Sequence, residues 1–207
     1  RSTARMRHTV TSPTRISTKA MADAAREPGK VIRKKRELAY EGTILKVYRD
    51  FVEANGREAV WDYIHHDGAA AVVPVLPDGR ILMVRQYRNA LDRFTLELPA
   101  GKVDSPDEPR VLCAFRELAE ETGMRAKSPE ALEFLIRIDT TVAFCDEEID
   151  IFVARELLPG EQHLDPDEEI AVQAYELSDL IARIYSGEIR DGKTVAGLTA
   201  YALQQNR

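Results

Sequence analysis

The 207 residues give room for one substantial domain with a small appendage, and an apolar content of 44% is ordinary for a chain that buries a core. No apolar run approaches bilayer length, and two cysteines, Cys113 and Cys145, are too few for a disulfide scaffold. Helical membrane proteins and small disulfide-stapled domains are thereby excluded, no membrane partner is expected, and a reducing, cytoplasmic setting is the expectation.

Charge is uneven along the chain. Residues 1–36 hold 11 Lys and Arg against 2 Asp and Glu, whereas the rest carries 18 against 33. So acidic a body disfavours nucleic acid as a partner, and handling an anionic substrate on it calls for metal cations to mediate.

Taken in order, residues 1–36 read as a basic leader. Residues 1–20 contain no acid and are rich in Arg, Ser and Thr, a composition that cannot bury enough apolar surface to fold, so disorder is expected. Met21 opens more ordinary sequence, which favours an appended or translated upstream leader over an organelle transit peptide. The RKKRE run from Arg33 to Glu37 reads as solvated charge.

Residues 37–66 are expected to form an N-terminal β subdomain, and residues 67–207 the main domain. GTILKVYRDFVE and REAVWDYIHH flank an Ala54-Asn55-Gly56 turn and read as a hairpin. AAAVVPVL and RILMVRQYR flank Pro77-Asp78-Gly79 and read as a second hairpin with buried strands. Pro74 lacks a ladder donor, which calls for a bulge or a partial edge. Phe94–Leu98, FLIRI (134–138) and EIDIFVARELL (148–158) read as further strands, and Pro159–Asp167 as a loop. One helix is expected from Ser178 to Tyr185 and a last one from Asp191 or Lys193 to Gln205.

The stretch from Glu97 to Met124 carries the chemistry. A Pro-Ala-Gly turn leads into a helix on which Glu117, Glu120 and Glu121 fall within about 60° of one another, with Cys113 and Ala114 on the same side, and with Val111, Phe115, Leu118 and Ala119 opposite. Like charges at these spacings, crowded toward a helix C-terminus, destabilise the helix by roughly 0.2–0.5 kcal/mol per pair. Arg116 relieves part of the repulsion. A divalent cation is the natural remaining counter-charge, and clustered carboxylates suit Mg²⁺, with Mn²⁺ as the alternative. A solvated acidic face reads the same three residues equally well.

The wider spacing decides between them. Gly101, six residues, Glu108, seven residues, then Arg116-Glu117-Leu118-Ala119-Glu120-Glu121-Thr122-Gly123-Met124 resembles the Nudix box of nucleoside-diphosphate hydrolases. The usual spacing to the first Glu is five, a position occupied here by Asp107. VRQYR (84–88), ELPAGK (97–102), AFCDE (143–147) and GEIRDGKTVAGL (187–198) look like segments of the ADP-ribose pyrophosphatase branch. The resemblance implies an α/β fold, an α/β/α sandwich around a mixed sheet, with a small N-terminal β domain that builds a homodimer.

It also implies roles. Glu117 and Glu121 would ligate metal together with the Ala100 carbonyl, with Glu120 accessory to them in the catalytic set, while Glu108 and Arg116 would form a structural ion pair. Arg88, Glu97 and Trp61 would bind substrate, the Trp by stacking adenine across a dimer interface, although a lone Trp in a β-rich segment also reads as core. Glu147 would be the general base, with Glu148, Glu168 and Glu169 as competitors for a late carboxylate. Cys145 has no neighbouring His to activate it. Where the branch often has Ser-Pro-Gly before the loop Phe, this chain has Thr141-Val142-Ala143, which does not fix a turn as Pro and Gly do and so bears on loop shape and substrate preference. The expected activity is Mg²⁺-dependent cleavage of ADP-ribose to AMP and ribose 5-phosphate. Another nucleoside-diphosphate sugar such as GDP-mannose or UDP-glucose, or a non-catalytic nucleotide sensor, are the alternatives.

Overall fold

A computed structural model describes residues 29–166 and 168–206. The disorder expected for residues 1–20 falls outside them.

Three antiparallel strands come first: β1 (Val31–Glu41), β2 (Lys46–Ala54) and β3 (Arg57–His65), in the order β1-β2-β3. The expected hairpin is β2–β3. Asn55 and Gly56 both take positive φ, 54° and 71°, as a tight turn between right-twisted strands requires. β1 corrects one expectation, a leader reaching to residue 36, and the RKKRE run, exposed at Arg33, Lys34 and Lys35, lies within the strand. The strand begins at Val31, and its cations find acids in the same sheet. Arg36 makes a two-pronged bond to Asp50, at 2.6 Å from both Nε and Nη2, and Lys34 lies 2.9 Å from Glu53. A basic strand is stable here because Asp50 and Glu53 of its neighbour meet its cations.

The main body is built on β4 (Ala69–Pro74), a wholly buried strand lying parallel to β10 (Glu148–Ala154) and antiparallel to β7 (Ala100–Lys102), with β9 (Glu133–Asp139) completing the order β7-β4-β10-β9. A second sheet runs β12-β5-β6, from β12 (Ile170–Tyr175), β5 (Ile81–Arg88) and β6 (Arg93–Glu97). A short pair, β8 (Met124–Arg125) with β11 (Leu158–Pro159), makes up the rest. The expected hairpin of β4 with β5 is therefore corrected. The two strands touch through a single bridge, Val75 to Ile81, and otherwise pair with different partners. β12 carries no mark that the sequence reading used. Pro74 sits beyond the Ala71–Ala100 pair that ends the β4–β7 ladder, so the side its missing N–H would serve is open.

Alternation along β4 sends its side chains into two cores. Ala70 and Val72 join Cys113, Ala114 and Leu118 of helix α1 (Arg110–Thr122), while Ala69, Ala71 and Val73 join Leu180 of α2 (Leu177–Tyr185) and Leu198 and Tyr201 of α3 (Gly192–Gln205). Helices on both faces of a mixed sheet, beside a separate N-terminal sheet, give the expected α/β/α class. Among the described residues no helix is long and apolar enough to cross a membrane.

Candidate active site

Helix α1 begins after Pro109 and ends at Gly123 in the left-handed conformation, φ 68°. Its acidic face does not look at open solvent, as the helical projection suggested. Glu121 is 3% exposed and Glu117 is largely covered, because the 99–102 turn lies across them. The Ala100 N–H donates to Glu121 Oε2 at 3.0 Å. Gly101 passes so close that a Cβ there would stand 2.0 Å from Glu117 Oε1, which explains a glycine at this point of the turn.

Burial dominates the protonation of the pair. It pushes the Glu117 carboxyl up to about 7, against the Arg116 guanidinium, which acts to lower it. It pushes Glu121 up to about 8, and the neighbouring Glu117 charge adds to the rise. The Glu168 charge adds a lesser push in the same direction on both, while Glu169 is exposed. Of the two buried carboxylates only Glu117 bonds a cation, Arg116, among the described residues, and hard oxygen donors of this kind fit Mg²⁺ or Mn²⁺. Among the described residues no three His, Cys, Asp or Glu side chains stand close enough to chelate an ion unaided. An ion held by this pair would therefore need further oxygen donors, the situation in which Mg²⁺ keeps several positions open.

Arg116 sits at the rim of this pair. Its Nη1 donates to Glu117 at 2.7 Å and to Glu120 at 3.0 Å, and its Nε lies 3.3 Å from Asp104 and 3.5 Å from Glu108. Glu108 also accepts the Asp104 N–H at 2.7 Å, which ties the loop to the helix start.

A cleft of about 900 Å³ opens beside the turn, lined among others by Arg88, Glu97, Ala100, Glu147, Arg190 and Lys193. Glu97 is 2% exposed. Burial alone would raise its carboxyl, but Arg88 (Nε 2.8 Å, Nη2 2.7 Å), Lys193 and Thr95 (2.6 Å) outweigh it and hold the group at about 2. Glu147 lines the opposite wall, accepting the Thr140 hydroxyl at 2.7 Å and facing His66 Nδ1 at 3.4 Å. Glu148 turns away to Arg137, 3.6 Å distant, and is not part of the cleft lining.

The 140–147 loop is latched to β3. Asp146 accepts from Tyr63 and from His65 Nδ1 (2.8 Å) and the His66 N–H (2.9 Å), and these bonds hold its carboxyl low against the effect of burial. The backbone repeats the latch through Ile64 N–H to Phe144 O at 2.7 Å. Trp61 lies on β3, 48% exposed, outside the cleft of its own chain. Both thiols are unsuited to nucleophilic work. Burial pushes Cys113 up to about 12 and raises Cys145 as well.

The structure thus brings together Arg88, Glu97, Ala100 and Glu147 around one cleft, with Glu117 and Glu121 under its turn. Sequence reasoning missed Lys193, Asp191, His66 and Thr140. Lys193 had a readable sign: a cation in the first turn of a helix opposes the macrodipole and so needs another reason to be there.

The profile of the NUDIX domain matches residues 65–197. An ADP-ribose pyrophosphatase of Bacillus subtilis is 37% identical over 172 residues, 82% of this chain and 88% of that protein. A methanol dehydrogenase activator of Bacillus methanolicus is 36% identical over 174 residues, 83% and 92% of the two chains. The solved structure of an ADP compounds hydrolase superposes with a TM-score of 0.76 at 21% identity, covering 88% of this chain and 97% of that one, which supports the fold. Since the domain match spans most of the chain and puts the turn and the acidic helix side by side inside it, this protein is a member of the Nudix hydrolase family.

Proposed function

We propose that this chain hydrolyses the diphosphate bond of ADP-ribose, giving AMP and ribose 5-phosphate, with Mg²⁺ as the metal and Mn²⁺ as a substitute. The observation that carries the reading is the Glu117–Glu121 pair, buried with Arg116 bonded to Glu117 alone, lying directly under the turn that floors a cleft lined by cations. The choice of ADP-ribose is supported by the relative that bears that name.

Glu117 and Glu121 would hold the metal with the Ala100 carbonyl, and Glu120, kept in place by Arg116, would add charge to the set. A bound Mg²⁺ would offset diphosphate charge and make water more acidic. Arg88 presents the guanidinium donors not used by Glu97 to a phosphate oxygen. Glu147 accepts a proton from the attacking water, whose oxygen bonds to one phosphorus while the bridging P–O bond breaks. The bridging oxygen leaves with the other phosphate. Trp61 stacks the adenine bound by a second copy, the role it would have in a homodimer joined through the N-terminal sheet. Free thiols and the lack of membrane-spanning helices among the described residues accord with a cytoplasmic setting.

The test is turnover of ADP-ribose, GDP-mannose and UDP-glucose with and without Mg²⁺, with products resolved by chromatography. ADP-ribose should be consumed fastest, and EDTA should stop it. Loss of GDP-mannose with ADP-ribose untouched would reverse the choice of substrate.

A further inference from the structure

Four donors converge on the Glu97 carboxylate: Arg88 Nε and Thr95 Oγ1 on one oxygen, Arg88 Nη2 and Lys193 Nζ on the other. A carboxylate offers about four lone-pair positions, and here each is taken. Buried and saturated, Glu97 has nothing left for a metal or a sugar hydroxyl. Its effect on the cleft lies in where it holds its donors.

Lys193 is the donor that helix stability does not explain. Its side chain is 11% exposed in the first turn of α3, set between Glu97 and Asp191, with Asp191 Oδ2 at 2.9 Å. The same Asp191 oxygen caps the helix, accepting from the Thr194 N–H at 3.0 Å and the Thr194 hydroxyl at 2.6 Å. Thr194 Oγ1 in turn accepts the Leu98 N–H at 2.9 Å. The start of α3 therefore grips two consecutive residues, Glu97 by its side chain and Leu98 by its main chain. The next residues form the turn whose Ala100 N–H meets Glu121 and whose Gly101 lies against Glu117.

We propose that Lys193 is a positioning residue for diphosphate hydrolysis, acting through Glu97 to fix Arg88 and the 99–102 turn against the Glu117–Glu121 pair. The proposal rests on the reading of the site as a diphosphate hydrolase. Lys193 and Glu97 then work as a unit, so their removal is non-additive.

The full-length chain and its Lys193→Met, Lys193→Arg, Glu97→Gln and Glu97→Gln/Lys193→Met variants are compared by steady-state kinetics on ADP-ribose, by melting temperature, and by the Nε–H resonance of Arg88 in protein labelled with ¹⁵N-arginine. Lys193→Met should lower kcat about 10- to 100-fold, the scale of one charge-assisted hydrogen bond, with KM changed far less. Lys193→Arg should recover part of the loss, the double variant should be no worse than the poorer single, and the Arg88 resonance should move in Lys193→Met and stay in Lys193→Arg. Wild-type kinetics in Lys193→Met, strictly additive losses, or a rise confined to KM would overturn the proposal, the last by making Lys193 a direct substrate contact. If Lys193→Met does not fold, Lys193→Arg and Glu97→Gln decide it through the same resonance. Should the wild-type chain consume no nucleoside-diphosphate sugar, the functional reading falls by itself. The Arg88 resonance then judges the positioning claim alone, which stands if Lys193→Met moves it and falls if it does not.

Discussion

Glu121 and Glu117 are carried at a cost to the folded protein. Unfolded, such carboxyls titrate near 4.5; in the fold burial raises them to about 8 and about 7. Between those limits the native state binds more protons than the unfolded chain, so the stability of the metal-free protein falls as pH rises. The contribution is complete below 4.5 and gone once pH passes the folded values. Melting in EDTA should therefore drop between about pH 5 and pH 8.5, and Mg²⁺ should restore it most at the alkaline end, where the carboxylates are charged. A melting temperature that is flat with pH in EDTA would refute this. Glu121→Gln should raise the metal-free melting temperature at alkaline pH while cutting kcat by orders of magnitude, a trade of function for stability. Glu117→Gln should lose activity in the same way, and wild-type turnover in a purified double variant would remove both from the metal site.

These two residues were legible in the sequence because their spacing is local, four residues on one helix. Lys193 shows in the sequence only as an ill-placed cation, because the carboxylate that explains it lies 96 residues away. Only the fold makes that a contact.

At the level of elements, the 140–147 loop departs from its branch in Thr141-Val142-Ala143 and is fixed by another means. Asp146 holds it to the end of β3 through Tyr63, His65 and the His66 N–H. Asp146→Ala should release the loop, lower kcat through the displaced Glu147 and cost about 1–3 kcal/mol of stability, readable as a loss in urea midpoint with unchanged slope. Unaltered kcat would show that Glu147 does not depend on the latch. Local signals marked the elements well: the Asn55-Gly56 turn, the last helix from Asp191, the helix before Gly123. Pairing was less legible. β4 and β5 look like hairpin partners because a turn joins them, yet β4 is buried on both faces and takes a distant parallel neighbour, β10. β1 was hidden by its charges, which only the acids of β2 make compatible with a sheet.

On the scale of the whole molecule, the N-terminal sheet leaves Val31, Ile32, Leu38, Tyr40, Val60 and Trp61 between 42% and 62% exposed. So much apolar surface on one small sheet suits a second copy of the chain. Light scattering should report a dimer, and Trp61→Ala should raise the KM for ADP-ribose roughly tenfold or more while sparing the melting temperature, as loss of one base-stacking platform does. A monomer with unchanged KM would dismiss both the dimer and the adenine role.

The grip of α3 on Glu97 and Leu98 has a consequence for synthesis. Glu97 emerges from the ribosome 96 residues ahead of Lys193, which at ordinary elongation rates is roughly 5 to 20 seconds. During that interval the acidic helix, its turn and Arg88 all exist, but the residues that lock them together do not. On the reading of Lys193 as a positioning residue, the turn is fixed against the acidic pair only after α3 has been made and has docked.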